Sequence, residues 1–178
     1  MKGLELRKTP EQVREEKARA SAALAADLAA LGYPGFVYLR AQHRQLNPAE
    51  VVLTTLGQAD LECRVVEALP WVLLAYPELD WPWLRERALL GGLQNRLGFI
   101  TNMAWRVAEQ CGDKEMSAFL AREEAALELS RLAREDTLCH ASITNAERRY
   151  LLEHRPAAAK HWHLLTDLAP EHLGYAAS

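Results

Sequence analysis

Apolar residues recur along this chain at helical spacing. The longest pattern is Leu93, Leu97, Ile100, Ala104, Val107 and Cys111, whose alternating steps of four and three mark one face of an α-helix. It predicts a helix from Leu93 to Gln110, with Gly112 just beyond its end. A second pattern, Val13, Ala20, Leu24, Leu28 and Leu31, predicts a helix from Pro10 to Leu31. Thr9 can cap it, Pro10 suits its first position, Gln12 completes a capping box, and Gly32 can terminate it.

Between these two, short helices are punctuated by proline and glycine. Asn47, Pro48 and Glu50 open one that ends near Leu56, before Gly57. Asp60 is expected to open the next, which stops at Leu69 because Pro70 cannot continue it. The stretch that follows sets Trp71, Tyr76, Trp81 and Trp83 among three prolines, the signature of a small aromatic sub-core beneath short helices. After Gly112, Asp113 caps a helix expected to reach about Asp136. Thr144 to Glu147 is another capping box, opening a helix to Glu153 or His154, and Pro156 starts a final helix through Leu168.

Strand signals are sparse. The one β-prone run is Phe36 to Leu39, within the connector from Gly32 to Asn47. It fits an edge strand, an extended link, or an ordered loop whose Tyr33, Phe36 and Tyr38 plug the core. The fold class is therefore mainly α: a compact, orthogonal bundle of about seven or eight helices with at most one short strand. Residues 1–46 form a long helix and connector, and residues 47–178 the main helical domain.

Composition narrows the class without naming a chemistry. Apolar residues make up 49 % and charged residues 25 % of the 178, which excludes a disordered tail or a fibrous repeat and suffices for a continuous core. A formal charge of -3 gives no whole-molecule attraction to nucleic acid, so any such contact needs a local face. Cys63, Cys111 and Cys139 are odd in number and form no CxxC, which fits reduced thiols and a cytoplasmic location. The most apolar run, Pro70 to Tyr76, is too short to span a bilayer, so no membrane association or export is expected.

Candidate chemistry is thin. Of the six histidines, His161 and His163 flank Trp162, and residues two apart on a helix diverge by roughly 200°, too far to share an ion. No catalytic, cofactor or metal site is expected. Cys139-His140 and the His161/His163 segment are the only foothold for an enzyme. A pocket gathering several histidines and carboxylates would favour that reading.

The double glycine Gly91-Gly92 has the outline of a helix-turn-helix over Trp83 to Arg106, with Leu90, Leu97 and Ile100 at core positions. Opposite the stripe centred on Leu93, the residues Asn95, Asn102 and Arg106 are expected to project to solvent. Asn and Arg are the types that read adenine and guanine edges, so these three are the candidate DNA contacts. The candidate interface residues are Tyr33, Phe36 and Tyr38. In outline the chain resembles small bacterial regulators and antitoxin-type proteins, with no residue correspondence that would transfer a site. The leading expectation is a non-enzymatic helical protein acting on a protein partner or on itself. A DNA-binding regulator comes second, and an enzyme with a His/Cys site third.

Overall fold

The computed structural model describes residues 8–39 and 45–175; His43 and part of the connector lie outside the described residues. Nine α-helical segments are present among them. α1 (Pro10–Ala30) carries the capping box expected at Thr9 and Gln12. Its buried face of Leu24, Ala25 and Leu28 belongs to the same core as the rest of the chain, and the Ser21 hydroxyl accepts the Glu62 amide at 2.9 Å.

α2 (Pro48–Leu56) starts on the Asn47 side chain, which accepts the Ala49 amide. α3 (Cys63–Glu67) and α4 (Leu69–Ala75) meet at Ala68, which closes one and opens the other. Two expectations change here. Asp60 is not a helix cap: it pairs with His140 in an antiparallel bridge, and its carboxylate accepts from the Ser142 amide and hydroxyl. Pro70 does not end a helix; it sits in the first turn of α4, where its missing N–H is no loss. α5 (Trp81–Leu90) begins on Asp80, whose side chain accepts the Trp83 amide.

α6 (Gln94–Gln110) forms the axis of the bundle and packs chiefly against α7 (Lys114–Glu128) and α4. Thirteen of its seventeen residues are buried, a helix covered on nearly every side rather than on one stripe. α7 stops at Glu128, short of the expected Asp136. No glycine or proline ends it; Asn95 takes up the backbone of Leu132 instead and draws the chain away from the helical path.

Extended pairing among the described residues gathers around the segment that follows α7. β1 (Asp136–Thr137) pairs in parallel with β2 (Leu164–Leu165), while Leu61 and Ala141 donate across the other edge to Cys139 and Ala59. Neither strand lies at Phe36 to Leu39, where a 3-10 turn spans Pro34–Phe36. α8 (Asn145–His154) has its capping box at Thr144 and Glu147. α9 (Ala157–His161) is only five residues long because His163 takes a left-handed φ of 54° and the chain turns into β2. No helix among the described residues is long and apolar enough to cross a membrane.

Candidate functional site

The corner at Gly91-Gly92 is a true interhelical turn. Gly91 keeps a helical φ of -84°, Gly92 goes left-handed at 66°, and the Gly92 and Leu93 amides donate back to Leu89 and Ala88. The helix that follows runs into the molecule, not out of it. A recognition helix needs an uncovered polar face to lay in a groove, and α6 has none over its first ten residues.

Two of the three residues expected on that face are therefore inside. Asn95 is 3 % exposed and Asn102 7 %. The Asn95 amide donates to the carbonyls of Leu132 at 2.8 Å and Trp162 at 2.9 Å, and its oxygen accepts the Leu132 amide at 2.8 Å. Asn102 donates to the Glu124 carboxylate at 2.9 Å, which also accepts from the Trp162 indole N–H at 3.2 Å. These asparagines are buried and stitch α6 to the Glu124 carboxylate of α7 and to the Leu132 and Trp162 backbone instead of projecting from a free helix face. Arg106 alone stays on the surface, paired with Glu109 and lying over the Trp105 ring. Leu90, expected in the core, is 73 % exposed.

Beside Asn95 stands the strongest polar arrangement in the molecule. The guanidinium of Arg96, on the first turn of α6, makes a two-pronged pair with Asp136, from Nε at 2.8 Å and from Nη2 at 3.0 Å. Its Nη1 donates to the carbonyls of Leu56 at 2.7 Å and Gln58 at 3.0 Å, at and just past the C-terminus of α2. Burial works against the Arg96 charge, and the hydrogen bonds and attraction to Asp136 together with the influence of Cys139 more than offset it. The result is a structural clamp joining α2, α6 and β1.

The aromatic interface candidates divide. Phe36 is buried, and Tyr33 is half-buried in an edge-to-face cluster with Phe36, Trp71 and Tyr175. Only Tyr38, with its neighbour Val37, faces solvent. Other exposed apolar side chains are Tyr150 and Leu152 on α8, and Leu89 and Leu90 at the end of α5 with Leu129 just past α7. These ends adjoin, since the Gln94 side chain donates to the Ser130 carbonyl and Arg134 donates to the Gly92 carbonyl.

The histidine and cysteine footholds also separate. His161 contacts the Glu128 carboxylate and His163 lies beside Arg131, both on the surface. Cys139 and His140 instead border a cavity of about 350 Å³ enclosed by α1, α3, α8 and the turns beyond β1 and β2. Cys63, Glu67, Asp167 and His172 line the same space. This is the gathering of histidines, thiols and carboxylates that would raise the enzyme reading, but its thiols are not activated. Burial raises the Cys63 thiol above its ordinary value, and it pushes Cys139 up to about 11 despite the opposing pull of Arg96. A nucleophilic cysteine needs the reverse shift. Among the described residues no three of these side chains converge to hold a metal ion.

Sequence reasoning missed the clamp and the cavity. The Arg96 clamp left one faint trace, an arginine next to an asparagine at the start of the helix that carries the longest apolar stripe. The cavity lining comes from well-separated segments, and only Cys139-His140 among them was marked by the sequence. Family models, curated proteins and solved structures offer no match to this chain.

Proposed function

We propose that this protein works by association with a macromolecule rather than by catalysis, and first of all with a second copy of itself. The observation that carries the reading is the apolar end of the bundle, where Leu89, Leu90 and Leu129 stand exposed, the last at 92 %. Solvent-facing leucines gathered at one end are a common mark of an interface. Their support is rigid, because α5 is tied to α7 by the Arg85–Glu123 ion pair and α6 anchors both.

The surroundings favour a self-complementary contact. Exposed Arg87, Arg131 and Arg134 alternate there with Glu86 and Glu135. In a two-fold interface the same patch meets itself, so Arg87 and Arg134 of one copy can face Glu86 of the other, while Arg131 and Glu135 keep their partners within the chain. The Gly91-Gly92 corner in this reading is the bend that brings Leu90 out beside Leu129.

Sedimentation of the purified chain from low to high micromolar concentration tests this directly. A concentration-dependent dimer is expected, and Leu90→Glu with Leu129→Glu should return it to monomer with unchanged circular dichroism. A strict monomer over the whole range removes the self-association reading.

A further inference from the structure

The cavity bordered by Cys139 and His140 has the size of a small-molecule site. Such sites run from roughly 300 to 1,000 Å³, mostly apolar with a few placed polar groups, and this one measures about 350 Å³. Its inner wall is formed by Leu61, Val66, Leu138, Leu151, Leu165 and Leu168, each buried in the fold. An apolar surface enclosed in this way gains by contact with a chain or ring that leaves water.

Charge at the opening is unbalanced. Lys17 lies 3.7 Å from the Glu62 carboxylate, which answers its charge. Glu67, from α3, and Asp167, from the turn after β2, form no ion pair among the described residues. Both carboxylates line the same cavity as Cys63. His140 and His172 add ring nitrogens, and Thr166 a hydroxyl, that can donate or accept hydrogen bonds beside them.

We propose that this cavity binds a small organic amine, with its hydrocarbon body among the leucines and its ammonium between Glu67 and Asp167. An ammonium would give both carboxylates the charge-assisted partner they lack. A ligand ending in a carboxylate would instead meet two like charges at the entrance, and a neutral one would leave the acids unused. The site lies away from the apolar end of the bundle and does not depend on self-association.

A matched set of eight-carbon probes, octylamine, octanol and octanoate, separates these cases when titrated into the full chain. Backbone-amide NMR shifts report the place of binding, and the rate of Cys63 alkylation reports occupancy of the opening. The amine should shift residues around Leu138 and Leu165, slow alkylation of Cys63, and bind more tightly than the alcohol. The paired substitution of Glu67→Gln and Asp167→Asn, at positions that are not fully buried, should weaken octylamine about tenfold, the scale of one lost charge-assisted contact. It should leave octanol unchanged. The proposal is overturned if octanoate binds as well as octylamine, if the double variant binds octylamine with full affinity, or if none of the three probes perturbs the cavity.

Discussion

The indole of Trp162 occupies the place where a side chain at Gly98 would begin. A β-carbon built on Gly98 would lie 2.4 Å from Cη2 of Trp162 and 2.5 Å from Cζ2 and Cζ3, well inside van der Waals contact. In an isolated helix a glycine costs roughly 1 kcal/mol relative to alanine. Here it is what allows a fully buried tryptophan to lie against the backbone of α6.

Gly98→Ala should therefore destabilise the protein, by about 1–3 kcal/mol through overpacking, although it improves helix propensity. Trp162→Ala should cost about 3–5 kcal/mol on its own. With Trp162 already truncated, Gly98→Ala should become neutral or stabilising. Urea denaturation of the two single variants and the double variant measures the coupling. Additive effects would show that the two residues do not share this space.

The Arg96–Asp136 pair leads to a pH prediction. Burial alone would raise the Asp136 carboxyl, but its hydrogen bonds and attraction to Arg96 hold it below the usual aspartate value. A carboxyl depressed in the folded state stabilises the fold above its unfolded value. That contribution fades as pH falls through the folded value. Wild-type stability should thus decline below about pH 4, and Asp136→Asn should remove that part of the decline. Parallel acid profiles for the two proteins, followed by urea midpoints from pH 7 to pH 3, would refute the assignment.

Removing the other partner is harsher. Arg96→Met strands the Asp136 carboxylate and leaves the Leu56 and Gln58 carbonyls without their donor. A cost of roughly 3 kcal/mol is expected, the lower end for a broken buried pair, because the Asp136 side chain keeps 29 % exposure. Thermal unfolding measures it. A loss within about 0.5 kcal/mol, ordinary for a surface position, would mean that the clamp is not what holds α2 to α6.

The double glycine should be asymmetric. Gly91 has a helical backbone, and an added β-carbon would sit 3.4 Å from its nearest neighbours, so Gly91→Ala should be tolerated. Gly92 is left-handed, a conformation that costs other residues roughly 1–2 kcal/mol. Gly92→Ala should lower the melting midpoint where Gly91→Ala does not. Equal effects of the two would argue against the turn as described.

The thiols should differ in access. Cys63 and Cys111 are exposed, whereas Cys139 is buried behind Arg96 and donates to the Thr55 carbonyl. At pH 8 a thiol reagent should label two sites on the native protein, and the third only with denaturant. Mass mapping identifies the sites. Rapid native labelling of Cys139 would show that this part of the core opens readily.

Where local chemistry decides the backbone, the amino-acid order was enough. The capping boxes at Thr9 and Thr144, the Asn47 and Asp113 caps and the paired glycines placed α1, α8, α2, the start of α7 and the α5–α6 turn close to where they lie. These signals are hydrogen bonds and backbone preferences within four residues, so no distant partner can easily override them. The regular stripe on α6 likewise marked the helix, but not how much of it is covered. Periodicity reports which face is apolar, and the polar face of α6 is buried too, because Asn95, Arg96 and Asn102 find partners 22 to 67 residues away. Only the tertiary structure supplied those partners. It also ended α7 early by capturing Leu132, turned the chain at His163 into a strand, and set Trp162 against Gly98. In each case a long-range contact outweighed a local propensity worth about 1 kcal/mol or less per residue.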